Sequence, residues 1–96
     1  MPLTSKQRSA LKALAHHIKP VVSVGVKGMT DAVIAETDRA LAAHELIKVR
    51  FHEAKALEEG VPDLAARVSA DIVAVRGKNA ILFRQDPDDA KIRLPR

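Results

Sequence analysis

The residues best placed to do chemistry in this sequence form a short Gly-Val-Lys-Gly loop at residues 25–28. Because glycine lacks a Cβ, such a loop can turn sharply and bring its backbone close to a ligand. Thr30 and Asp31 follow as the expected start of a helix, whose first N–H groups attract anions. With the Lys27 ammonium at its tip, the loop predicts a contact with phosphate.

The same pattern is also typical of an ordinary turn between a strand and a helix, so the loop alone leaves both interpretations open. It is not a Walker A loop, because no Lys-Ser or Lys-Thr pair follows the second glycine. It also lacks the third glycine of the dinucleotide fingerprint. No nucleotide cofactor is therefore predicted.

The charge around this loop has a single sign. Residues 1–30 contain no Asp or Glu. Residues 1–50 carry eight Lys or Arg against four Asp or Glu, whereas residues 51–96 carry eight of each, so the net charge of +4 arises in the first half. A basic surface indicates a polyanionic partner such as RNA, DNA or an acidic membrane. A basic protein without such a partner is the alternative. The cations of the first 30 residues are Lys6, Arg8, Lys12, Lys19 and Lys27.

Other residue types do not predict a catalytic or metal site. His16 and His17 have no carboxylate at a ligand spacing beside them, so we expect surface histidines that add positive charge at low pH. No serine lies in a nucleophile elbow, and the chain has no cysteine. Because Tyr and Trp are absent, contacts to a nucleic acid backbone are favoured over stacking of bases.

The first half of the chain predicts two helices and two strands around the loop. Thr4 and Gln7 form a capping box at the start of the first helix, which Pro20 is expected to end. A strand follows at residues 21–24, and Thr30 caps a second helix over residues 31–43. Residues 46–51 alternate as a strand, with Lys48 and Arg50 on one face.

The second half predicts a third helix and a hairpin. Residues 54–59 form a helical turn that Gly60 is expected to stop, and Pro62 then opens the third helix. Strands at residues 71–75 and 80–83 flank a turn at residues 76–79. The order α-β-α-β-α-β-β predicts one α/β domain over residues 1–96, an α+β-like two-layer arrangement with a mixed four-stranded sheet.

Three segments in this order resemble the CRM domain (chloroplast RNA splicing and ribosome maturation). They are Ala-His-His-Ile-Lys-Pro-Val-Val at residues 15–22, the loop at residues 25–28 and His-Glu-Leu-Ile-Lys-Val at residues 44–49. The ending Lys-Ile-Arg-Leu-Pro-Arg at residues 91–96 is similar to that of the stand-alone bacterial members, the YhbY type.

The resemblance implies an RNA-binding domain whose fold is like the C-terminal domain of bacterial translation initiation factor three. It also implies that residues 25–28 are the RNA-contacting loop, comparable to the GxxG loop of KH domains. Bacterial members are associated with precursors of the large ribosomal subunit, and plant relatives with group II intron splicing. Val26 departs from the family pattern, in which a polar or basic residue is more expected.

We therefore predict a cytoplasmic, non-enzymatic and monomeric RNA-binding protein that assists maturation of the 50S subunit through ribosomal RNA and pre-50S particles. No apolar run is long enough to span a membrane, and no small-molecule substrate, cofactor or metal is predicted. One alternative is a protein-interaction module whose basic face docks an acidic partner, and another is a general RNA chaperone or intron-splicing type of RNA binder. The predicted RNA-binding residues are Gly25, Val26, Lys27, Gly28, Lys6, Arg8, Lys12, His16, His17 and Lys19.

Overall fold

The computed structural model describes residues 3–96, and residues 1 and 2 of the predicted domain lie outside this range. Within it, three α-helices and four strands follow in the predicted order α-β-α-β-α-β-β. One short 3-10 helix, Ala54–Ala56, directly precedes the third α-helix. The elements are α1 (Ser5–Ala15), β1 (Pro20–Val24), α2 (Asp31–His44), β2 (Leu46–Phe51), α3 (Leu57–Arg67), β3 (Asp71–Arg76) and β4 (Asn79–Phe83).

Side-chain caps fix where the first two helices begin. The Thr4 hydroxyl accepts a hydrogen bond from the Gln7 N–H, and the Gln7 side-chain oxygen accepts one from the Thr4 N–H, each at 3.1 Å. This is the predicted capping box, and it is confirmed. Likewise the Thr30 hydroxyl accepts from the Val33 N–H at 3.2 Å at the start of α2. Both caps satisfy N–H groups that a helix cannot pair internally.

The end of α1 differs from the prediction that Pro20 stops the helix. The α1 helix ends at Ala15, and Pro20 is instead the first residue of β1. Proline is tolerated there because β1 is an edge strand, so the missing N–H removes no ladder bond from the sheet interior.

The sheet order is β1-β2-β4-β3, with β1 parallel to β2 and the other pairs antiparallel. The predicted mixed four-stranded sheet is therefore confirmed, and β4 lies between β2 and β3. Because β1 and β2 run in one direction and β4 in the other, the end of β1, the end of β2 and the β3–β4 turn meet at the same end of the sheet. The loop at residues 25–28 leaves the sheet from this end.

Both faces of the sheet are covered by apolar side chains. The α2 and α3 helices pack on one face, where Ile47, Val49 and Phe51 of β2 are buried as the alternation predicts. The α1 helix packs on the other face against Leu46, and the C-terminal segment after β4 covers part of the same face. Strand β4 is buried on both faces because it reads Ala-Ile-Leu-Phe after its first residue.

The region around α3 corrects two sequence predictions. Gly60 does not stop a helical turn, and Pro62 does not open the helix, because α3 runs through both from Leu57. A Cβ on Gly60 would lie 2.7 Å from the Phe51 ring. The glycine is therefore needed for close packing of α3 on β2, rather than for helix termination.

The C-terminal segment is anchored by Glu45, the residue between α2 and β2. Glu45 is fully buried, and its carboxylate accepts hydrogen bonds from the backbone N–H groups of Asp86, Lys91 and Ile92 at 2.6–2.8 Å. Its own backbone carbonyl accepts from the Arg84 N–H at 2.9 Å. One buried acidic side chain thus holds the chain that follows β4 against the domain.

Candidate nucleic-acid interface

The loop at residues 25–28 forms a tight turn that faces solvent. The Gly28 N–H donates to the Gly25 carbonyl oxygen at 2.9 Å, which closes a four-residue turn. Gly28 has a φ of 73°, a left-handed conformation that favours glycine. Val26 is 84% exposed, and Lys27 is exposed beside it. The turn bond does not use the N–H groups of these two tip residues, so they are free to donate to a ligand.

The start of α2 follows the loop without a gap. The Thr30 N–H donates to the Gly28 carbonyl oxygen at 3.0 Å, which connects the turn to the helix N-cap. The Thr30 side chain caps only the Val33 N–H. The positive end of the helix dipole therefore lies next to the loop, and an anion at the loop is stabilised by both.

The predicted basic residues of α1 do not all share one surface. Lys6 is exposed. Arg8 is half-buried, and its guanidinium donates to the backbone carbonyl oxygens of Ile72 and Val73 in β3, the latter at 3.1 Å. Arg8 thus holds α1 on the sheet. Its Nη1 group is occupied within the protein, so this part of the guanidinium is not available to RNA.

Lys12 and His16 line a small cleft at the C-terminal end of α1. The opposite wall is formed by Lys48 of β2, Arg76 of β3 and Asn79 of β4. The Lys48 ammonium also donates to the Ile18 carbonyl oxygen at 3.0 Å. The structure therefore brings together cations that are distant in sequence.

Arg50 extends this cleft along the face of β2. It is exposed, and in the sheet it lies opposite Ser23 of β1 and Asn79 of β4. The alternation of β2 predicted that Lys48 and Arg50 share a face, but it could not show that α1 leaves Arg50 uncovered. We use the term basic surface for Lys12, His16, Lys48, Arg50 and Arg76 together.

Two of the predicted RNA-binding residues, His17 and Lys19, do not lie beside the loop. Lys19 directly precedes β1, whereas residue 25 directly follows it. At about 3.3 Å per residue, the two ends of this strand segment are roughly 20 Å apart. Lys19 instead lines an apolar groove of about 480 Å³ together with Leu14, Val21 and His44. His17 is exposed in the turn between α1 and β1.

Arg84 does not belong to the basic surface. Its guanidinium donates to the Asp38 carboxylate at 2.6 Å and to the Val68 carbonyl oxygen at 2.8 Å. It lies just after β4, at the end of the sheet opposite the loop. The position of an arginine in the sequence therefore does not show whether its guanidinium is available for RNA or is bound within the protein.

Residues 3–96 contain neither a metal-binding cluster nor a membrane-spanning helix. No group of three or more histidine or acidic side chains is arranged to hold a metal ion. No helix among these residues has the length and apolar character that a membrane span requires.

Comparison with known proteins places this geometry in context. A family model for the CRS1 / YhbY (CRM) domain matches residues 3–84. A protein of Haemophilus influenzae named "RNA-binding protein" is 41% identical over 98 residues, which cover 98% of this chain and 96% of the relative. A Pseudomonas aeruginosa protein named "Probable RNA-binding protein" is 39% identical over 93 residues, covering 95% of this chain and 89% of the relative.

A solved structure shows the same fold. The solution structure of a Staphylococcus aureus protein, proposed to bind RNA, superposes with a TM-score of 0.83 at 30% sequence identity. The match covers 97% of this chain and 99% of that one. The sheet order and helix placement described above are therefore those of a known protein fold.

Proposed function

This chain belongs to the CRS1 / YhbY (CRM) domain family, and from that membership and the loop geometry we propose that it is a non-enzymatic RNA-binding protein. The observation that carries the proposal is the exposed turn at residues 25–28, set at the open N-terminus of α2. Relatives that cover nearly the whole chain carry names that describe RNA binding.

In the proposed complex, an RNA phosphate lies against the tip of the loop. The N–H groups of Val26 and Lys27 donate to its oxygens, and the Lys27 ammonium adds a charge-assisted contact. Val26 contributes through its backbone N–H. Its apolar side chain, which departs from the family pattern, is therefore compatible with this contact. Gly25 and Gly28 allow the close approach because neither places a Cβ in the way.

The basic surface continues the phosphate path beyond the loop. Both features lie toward the same end of the sheet, because Arg76 and Asn79 flank the β3–β4 turn. Lys12 and His16 reach this surface from α1. The remaining predicted lysines, Lys6 and Lys19, add long-range attraction without a position beside the loop, and His17 lies in the turn between α1 and β1.

We further propose that the RNA is large-subunit ribosomal RNA in pre-50S particles, bound in the cytoplasm by a monomer. The support is the resemblance of the loop and the His-Glu-Leu-Ile-Lys-Val segment to the CRM domain, together with the ending at residues 91–96, which is similar to that of the bacterial YhbY-type members. Under the rival protein-docking hypothesis the basic surface would hold an acidic protein and RNA binding would be incidental. Val26→Asp/Lys27→Asp would then weaken capture of that protein and leave RNA affinity little changed.

Sedimentation of cell lysate tests the ribosomal part of the proposal. Wild type should co-migrate with large-subunit precursors in a sucrose gradient, and Val26→Asp/Lys27→Asp should stay at the top. Circular dichroism of the variant should match wild type, because both side chains are exposed. If the wild-type protein stays at the top of the gradient in low salt, the proposed binding to pre-50S particles is contradicted.

A further inference from the structure

A cleft of about 380 Å³ opens beside the loop, between its second glycine and α3. Gly28 and Met29 line it from the loop side, and Glu59 and Asp63 line it from the helix side. Its inner wall includes the Phe51 ring, which is almost completely buried. The cleft therefore has an apolar interior and carboxylates on one wall.

Gly60 sets how closely α3 lies against the wall of this cleft. Gly60 lets the helix rest directly on the Phe51 ring, since a Cβ there would lie 2.7 Å from it. Glu59 and Asp63 are four residues apart, so they project from the same side of the helix. Because α3 lies close to the sheet, its Glu59 and Asp63 carboxylates line the space beside the loop.

The two carboxylates have different partners. Asp63 accepts a hydrogen bond from the Arg67 side chain at 2.9 Å. Glu59 makes no ion pair within residues 3–96. A free carboxylate only accepts hydrogen bonds and repels phosphate. The cleft is therefore unsuited to the RNA backbone and suited to a base that presents N–H groups.

Among the RNA bases, guanine presents two adjacent donors, N1–H and the N2 amino group, on its Watson–Crick edge. Adenine and cytosine place a ring-nitrogen acceptor beside their amino group, and uracil places its N–H between two carbonyl oxygens. The two oxygens of one carboxylate can accept from the guanine pair together, whereas each other base sets an acceptor against an oxygen.

We propose that this cleft holds an unpaired guanine, with Glu59 accepting from N1–H and N2–H. The inference rests on the proposed RNA binding at the loop, because Gly28 belongs to both features. Because Gly28 lines the cleft, a nucleotide whose phosphate contacts the loop is close enough to place its base there. The His52 ring, which lines the cleft and is partly exposed, supplies a flat surface for the base.

Fluorescence anisotropy with short RNAs tests the guanine site. The probes are an oligouridine and the same strand with one central guanosine, inosine or adenosine. Wild type should bind the guanosine strand roughly tenfold more tightly than oligouridine, because a good bidentate base contact discriminates by that order. Inosine, which lacks the N2 amino group, should fall between them, and adenosine should match oligouridine.

Two matched variants of α3 complete the test. Glu59→Gln should reduce the guanosine preference to less than about twofold, because the amide replaces one acceptor by a donor, and should leave oligouridine affinity at least as high. Glu58→Gln removes the same charge from an exposed neighbour outside the cleft lining and should keep the preference.

The outcomes separate the guanine site from RNA binding itself. Equal wild-type affinity for guanosine and uridine strands, or a preference retained in Glu59→Gln, overturns the guanine site and leaves RNA binding intact. Failure of wild type to bind any of the four strands overturns both proposals.

Discussion

At its N-terminus α2 follows an exposed turn, whereas at its C-terminus it runs into a fully buried glutamate. The first end offers the N–H groups of Val26 and Lys27 to solvent. At the second end, the Glu45 N–H donates to the Leu41 carbonyl oxygen and the Lys91 ammonium donates to the Ala43 carbonyl oxygen at 3.1 Å.

The difference shows how one helix can serve folding and binding at once. The C-terminal end is stabilised by contacts with residues more than 40 positions away, so it fixes the fold. The N-terminal end keeps only a local cap and a local turn bond, so its remaining donors stay available. We call the N-terminus of α2 its open end and the C-terminus its closed end. Substitutions at the closed end should change the free energy of unfolding, and substitutions at the open end should change the affinity for RNA.

Glu45→Gln should produce the largest loss of stability. The amide keeps the shape but not the charge. Its NH₂ group would replace one of the two carboxylate oxygens and would face a backbone N–H that this oxygen accepts from. We expect the free energy of unfolding to fall by about 3 kcal/mol, the range for buried hydrogen bonds to a charged group. Urea denaturation measures this. A loss under about 1 kcal/mol would show that the C-terminal segment does not depend on the carboxylate.

Acid should weaken the same end of α2. Burial alone raises the pKa of Glu45, but three backbone N–H donors and the Lys91 charge outweigh it, so its pKa lies below the ordinary value. The resulting stabilisation is present above the unfolded-state pKa of about 4.3 and is lost as pH falls through the folded-state pKa. Thermal melts below that pH should show a decline in wild type that is smaller in Glu45→Gln.

The two loop glycines provide a comparison within the open end. Gly28→Ala should cost about 1 kcal/mol, because its φ of 73° is unfavourable for a residue with a Cβ. Gly25→Ala should change stability by under about 0.5 kcal/mol, since its φ is not positive and the added Cβ meets no atom within 4 Å. Chemical denaturation of both variants checks this, and equal effects would contradict the turn conformation.

Lys91→Met tests a small effect at the C-terminal end of α2. The substitution removes the ammonium that donates to the last turn of α2 but keeps the backbone N–H that Glu45 accepts from. A cation at a helix C-terminus contributes about 0.3–1 kcal/mol. The free energy of unfolding should fall by that amount, with a smaller loss in high salt. Salt-independent destabilisation would instead point to lost packing.

The open end of α2 was predictable from sequence, and the closed end was not. Thr30 and the turn at residues 25–28 act within a few positions of one another, so their pattern is visible in the chain. Glu45 acts on residues 86–92, and its neighbours give no sign of that pairing. Nothing in the sequence marks it as buried.

The same distinction applies to the interface. The predicted loop is found as a turn at a helix start, but Arg8 binds β3 and Lys19 lies at the far end of β1. Lys48 and Arg76 approach Lys12 because α1 packs on the face of the sheet that carries them, with β4 between their two strands. Gly60 was misread for the related reason that its close contact is with another element, the Phe51 ring.

The most direct test of the account measures RNA affinity against salt for two charge reversals. Lys27→Glu changes the loop tip, and Arg93→Glu makes the same change in charge at an exposed site in the C-terminal segment. Wild-type affinity should fall as salt rises, with a log–log slope of about −0.7 per phosphate contact on single strands. Lys27→Glu should weaken binding roughly tenfold and make the slope shallower by about 0.7, while Arg93→Glu stays near wild type. Equal effects of the two reversals, or a wild-type affinity that does not depend on salt, would contradict phosphate binding at the open end of α2.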